Sequence, residues 1–180
     1  MMFLRIWLTC ILISGFVFGQ ENRDCPEHFS LSPQSTANEE ICVPDDFIFS
    51  VTTQQAGYFF SEVIIEDIPL EVNDCENSND CDWVGAFNGN ICVGATQWNL
   101  DSCLNGICSI NIMGNDFGEF TPDGYMNYGD FPTFKIYDSS TNHYYDASPS
   151  ENLPWQSNEA YIIDELLSSR NIPELFQHNV

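Results

Sequence analysis

Apolar and polar positions alternate with a period of two along most of this chain. "FIFSVTT" (Phe47–Thr53) sets Phe47, Phe49 and Val51 against Ser50 and Thr52, and "GYFFSEVII" (Gly57–Ile65) is aromatic and β-branched. "CSINIM" places Cys108, Ile110 and Ile112 on one face, with Ser109 and Asn111 on the other. "PTFKIYD" sets Phe134 and Ile136 against Thr133, Lys135 and Tyr137, with Pro132 at the strand start where a missing N–H does little harm. "DSSTN" then turns the chain into "HYYDA". Each run predicts a strand, and the loops between them are rich in Gly, Asn, Asp and Pro. The pattern predicts an all-β, antiparallel β-sandwich, immunoglobulin-like or jelly-roll-like. Residues Asn158–Ser169 fit either period, because Ile162, Ile163, Leu166 and Leu167 also make a helical stripe behind Ser157 as N-cap.

The segment "DWVGAFNGNICVGATQW" (Asp82–Trp98) raises a choice between chemistry and turning. A phosphate loop needs a Lys before its final Ser or Thr; here Ala95 stands before Thr96. Asn88-Gly89 is instead a strong hairpin signal, since a type I′ turn wants positive φ at both central residues. A turn centred there pairs Phe87 with Asn90, Gly85 with Cys92, Val84 with Val93 and Trp83 with Gly94. Val84, Ala86, Ile91, Val93 and Ala95 then share one face, while Trp83 and Phe87 shield strand glycines on the other.

The ends change the picture from fold to location. Residues 1–19 read as a secretory signal peptide: Arg5, an apolar run from Ile6 to Phe18, then small Gly19. No later apolar stretch could span a bilayer, so no membrane insertion is expected after cleavage. The formal net charge of −23, from 27 acids and 4 bases, excludes nucleic acid and anionic membranes as partners. With 14% aromatics the chain can still bury a core, and its length suits one domain. Cysteines outside the signal number seven, and in an oxidising compartment disulfides are the default. Local pairs are expected: Cys25–Cys42, Cys75–Cys81 and Cys103–Cys108, with Cys92 left in the hairpin; Cys92 pairing with Cys103 or Cys108 is the alternative. No C-x-x-C occurs and His28, His143 and His178 are scattered, which argues against zinc.

Candidate chemistry is sparse. No Ser–His or Cys–His constellation stands out, so the chain reads as no enzyme; the alternative is a small glycosidase-like hydrolase using paired carboxylates. The expected cofactor list is empty apart from calcium, for which Asp74, Glu76, Asp80 and Asp82 offer hard oxygen ligands on a loop that Cys75–Cys81 would cinch. A second acidic loop carries Asp116, Glu119 and Asp123. Sugar stacking is the third class: Trp98, Tyr125 and Tyr128 lead a set that also holds Tyr144, Tyr145 and Trp155.

Five blocks in order, "TTQQAGYFF", "DWVGAFNGNICVGATQW", "GYMNYGDFPTFKIYDSS", "YYDASPSE" and "LPW", resemble a secreted β-sandwich module of marine bacterial surface proteins. The resemblance covers about Phe47 to Leu167 and implies a fold and a setting, with a closing strand at Tyr161–Leu167, but no activity. The tail "NIPELFQHNV" resembles the linker before a type IX secretion sorting domain. The expected organisation is signal peptide 1–19, disulfide-bearing segment 20–46, sandwich module 47–168 and linker 169–180 to a missing C-terminal domain. The expected product is a secreted or cell-surface bacterial protein, exported by the general secretory route and type IX machinery. Its expected role is non-catalytic adhesion, display or glycan contact, with a glycan or another surface protein as partner.

Overall fold

The computed structural model describes residues 25–36, 40–72, 75, 80–100, 103–104, 107–118 and 122–168. Their elements run β1 (Phe29–Leu31), β2 (Cys42–Pro44), a 3-10 turn (Asp45–Phe47), β3 (Gln55–Ile65), β4 (Ile68–Pro69), β5 (Trp83–Asn88) and β6 (Ile91–Gln97). There follow β7 (Cys103–Leu104), β8 (Ile107–Met113), β9 (Thr133–Asp138), β10 (His143–Pro149) and β11 (Ala160–Ser168). The described fold is all-β, stapled by Cys25–Cys42, Cys75–Cys81 and Cys103–Cys108, with Cys92 free and buried. Residues 160–168 form a strand, so the period-two reading prevails there over the helical one.

β1 and β2 pair as a small sheet; the rest join one sheet in the order β6-β5-β9-β10-β11-β3-β8-β7, with β4 on β3. The strand pattern predicts an antiparallel sheet, but the sheet is not antiparallel throughout. The sheet is mixed, because β11 runs parallel to β3. Short turns force β5–β6 and β9–β10 to be antiparallel, but no hairpin joins β3 to β11, so nothing local fixes their direction.

The large sheet curls until β6 lies against β8, and the core fills the fold between them. Val84, Ala86 and Val93 meet Tyr58, Phe60, Ile110, Ile112, Phe134, Ile136, Ile163 and Leu166, all buried. The two sheet ends approach closely at Gly94, where a Cβ would sit 2.2 Å from the Asn111 carbonyl oxygen. The outer face of β5, β6 and β9 carries Trp83, Phe87, Cys92 and Tyr137, and the β1–β2 layer covers it with Phe29, Val43 and Phe47. Phe47 lies over Gly85, whose absent Cβ would come within 2.6 Å of its ring. A ring does shield a strand glycine, but it comes from outside the hairpin.

The hairpin's register is also corrected. Asn88 pairs with Ile91 and Phe87 with Cys92, so Gly89 and Asn90 form the turn. Gly89 alone has positive φ, 61°, which suits a type II′ turn with glycine first rather than type I′. Val93 is then bulged, since Gly94 pairs with Ala86 and Ala95 with Gly85. One extra residue swaps the faces beyond it: Gly94 turns toward the core and Ala95 toward the outer cluster.

Phe47–Thr53, expected as a strand, begins in the 3-10 turn and continues as irregular chain. Its backbone is satisfied by side chains instead. Tyr125 Oη accepts from Ser50 N (2.6 Å) and donates to Ser50 O (3.0 Å). Gln34 Nε2 donates to Phe49 O (2.9 Å), and Thr53 N donates to Asp116 Oδ2 (3.3 Å).

Candidate functional site

The aromatic set does not assemble into a platform. Trp98 and Tyr125 are 3% and 2% exposed, and Trp155 is equally buried, so their faces are spent on the core. Tyr125 uses its hydroxyl on the Ser50 backbone, and Trp155 donates its indole N–H to Ile112 O at 3.0 Å. The indole nitrogen of Trp98 has no hydrogen-bond partner among the described residues. Tyr144 and Tyr145 are half-buried. Alternation could not reveal this, because a ring in a loop has no face assigned by period.

Tyr128 behaves differently. It is 78% exposed on the connection between β8 and β9, in a turn closed by Asn127 N donating to Asp130 Oδ2 (2.8 Å). Gly129, at φ 90°, supplies the conformation that turn requires. Two backbone bonds, Gly129 N to Trp155 O and Trp155 N to Asp130 O, clamp it to the buried Trp155 segment.

The same connection displays Phe117, 87% exposed, which sequence reasoning did not single out. Its φ is 56°, a conformation uncommon for a bulky residue. Asn115 Oδ1 accepts from Phe117 N and Asp116 Oδ1 from Gly118 N, while Asp116 Oδ2 reaches Thr53 N and Oγ1. Bonds from Gly118 N and Thr53 N hold the Asp116 carboxyl below the usual carboxylate range.

Of the four expected calcium ligands, Asp74 and Glu76 lie outside the described residues, as does Glu119 of the second acidic loop. Asp80 is exposed. Asp82 Oδ1 is engaged by Ser139 N (2.8 Å) and Ser139 Oγ (2.9 Å), capping the β9–β10 turn. Among the described residues no three His, Cys, Asp or Glu side chains gather as a metal site.

Two open clefts flank the curl. One, of about 490 Å³, is lined by Asp45, Asp46, Phe87, Ile91 and Lys135 among others. Lys135 Nζ is 3.6 Å from Asp46 Oδ2 and 5.1 Å from the Phe87 ring centre, and Asp45 Oδ1 accepts from Ser30 Oγ. Both carboxylates are exposed to solvent. Cys92 also lines this cleft, but burial pushes its thiol up to about 12, far from a thiolate nucleophile at neutral pH. The other cleft, of about 430 Å³, lies between β6 and β8. Comparison with family models, curated proteins and solved structures finds nothing that matches this chain.

Proposed function

We propose that this protein is an exported, non-catalytic surface module that makes contact with a glycan or another surface protein. The observation that carries the reading is the β8–β9 connection, which holds Phe117 and Tyr128 out in solvent on hydrogen-bonded turns. The backbone under each ring is already ordered by these bonds. Burying each ring on contact contributes about 1.5–3 kcal/mol, against which only side-chain ordering, not loop ordering, has to be set. Three disulfides are typical of extracellular proteins, and no helix among the described residues is long and apolar enough to cross a membrane. Export through a signal at 1–19 and onward by type IX machinery belongs to the same proposal.

The test is adhesion of the secreted, disulfide-intact chain to immobilised bacterial cells and to a glycan array. Phe117→Ala/Tyr128→Ala should lower adhesion at least tenfold with an unchanged melting temperature. Turnover of a glycoside substrate, or adhesion indifferent to both rings, would overturn the reading.

A further inference from the structure

The cleft between β6 and β8 differs in kind from the rest of this acidic surface. None of the residues lining it is charged, although the chain carries 27 acids. Its walls offer amide and hydroxyl groups from Gln55, Thr96, Ser109 and Asn111 beside the apolar Phe49 and Val51. Gln55 Nε2 donates to Thr52 O at 2.8 Å, which fixes the amide and leaves its Oε1 as an acceptor. Neither Ser109 nor Asn111 forms a side-chain hydrogen bond with another described residue. Val51 is 58% exposed. The cleft is thus a set of neutral donors and acceptors around an apolar wall.

We infer that this groove binds an uncharged oligosaccharide. Its volume lies at the small end of ligand clefts, which orient their occupant by a few placed polar groups. A neutral sugar matches such a lining: hydroxyls for the amides and hydroxyls, C–H faces for Phe49 and Val51. An anionic polymer would meet no cation here and the repulsion of a net charge of −23. An extended peptide is the competing occupant, because β6 is an open edge in the described sheet and β8 is uncovered between its pairing with β7 and the Met126 bond to Met113. It is disfavoured by geometry. Gly94 lies so close to the Asn111 carbonyl that not even a Cβ fits between them, so the slot is blocked at that end to a through-running strand.

This inference rests on the reading of the chain as a contact module, and it names a ligand class at a place distinct from the Phe117 and Tyr128 rings. The experiment is titration of cellohexaose, xylohexaose and laminarihexaose into the isotope-labelled, disulfide-intact chain, followed by amide chemical shifts. At least one should give saturable shifts at Thr96, Ser109 and Asn111, and the sugar should be recovered uncleaved. Asn111→Asp, which adds a charge at an exposed position, should weaken binding at least tenfold at an unchanged melting temperature. Ser109→Ala should weaken it less. Oligogalacturonate, and a neutral decapeptide of Ser, Thr and Val, should leave the groove amides unmoved. No shift with any neutral sugar, shifts with the peptide instead, or full binding by Asn111→Asp would overturn the assignment. Shifts confined to Tyr128 would overturn it while leaving the contact reading intact, whereas cleaved sugar would overturn both.

Discussion

Two glycines of the central hairpin make opposite demands. Gly89 has φ 61° with nothing near its missing side chain, so Gly89→Ala meets only the backbone cost of about 1 kcal/mol. Gly94 has no room at all: its Cβ would press on backbone, which cannot rotate away. Gly94→Ala should cost roughly 3 kcal/mol or more, at the upper end of overpacking effects. Urea denaturation of the two variants checks the order, and equal costs would contradict the close approach of β6 and β8. Cys92 tests the same region by chemistry. Its thiol should resist iodoacetamide at neutral pH until the chain unfolds, read by mass, because burial keeps it protonated. The glycines and the lone cysteine were legible in the sequence as a hairpin. The Val93 bulge was not, since the contact that imposes it lies on β8, outside the local pattern.

At the scale of elements, the β9–β10 turn depends on a residue from β5's approach. Burial raises the Asp82 carboxyl above its ordinary value of 3.8, and the Asp138 charge adds to this, against the two Ser139 hydrogen bonds. The folded chain therefore takes up this proton before the unfolded chain as pH falls. By linkage, the Asp82 contribution to stability grows as pH drops through the window above 3.8, and is missing at neutral pH. Asp138 shows the reverse: burial raises it, but bonds from Ser140 and Thr141 prevail and hold it below 3.8. Its contribution is present above 3.8 and is lost as pH falls below. Asp82→Asn keeps an acceptor for Ser139, so it should leave neutral-pH stability equal or higher and remove the first of these slopes. Asp82→Ala should cost about 1–2 kcal/mol by stranding Ser139 N. If Asn proved as costly as Ala in denaturation between pH 3 and 7, the capping account would fail. Period-two patterning revealed β3, β8 and β9 because one face of each is buried. It failed at Phe47–Thr53, where alternation is real but side chains of Tyr125, Gln34 and Asp116 take the backbone groups a ladder would use.

Across the whole molecule, the β1–β2 layer is held by Cys25–Cys42, which closes the longest of the three disulfide loops, a separation of 17. The loop-entropy relation gives about 3 kcal/mol for such a span and about 2 kcal/mol for each shorter one. Cys25→Ser/Cys42→Ser should therefore lower unfolding free energy by about 3 kcal/mol. It should also shift tryptophan emission to the red as Trp83 loses its cover; an unshifted spectrum would mean that the layer stays in place without its tie. The placement of the aromatic set was not legible at this scale, because only the assembled core decides that Trp98 and Tyr125 face inward while Tyr128 does not. The parallel seam of β3 and β11 has a consequence in time. β11 lies between β10 and β3, joining the two halves of the sheet, yet it is made about a hundred residues after its partner. Until it arrives, β3 and β10 both present raw edges and the core lacks Ile163 and Leu166. The ribosome would thus extrude a chain that has nothing complete to fold into, and compaction waits for the delivery of residues 160–168. Stalling synthesis before Ala160 should leave a protease-sensitive product, while release after Ser168 should give a resistant one.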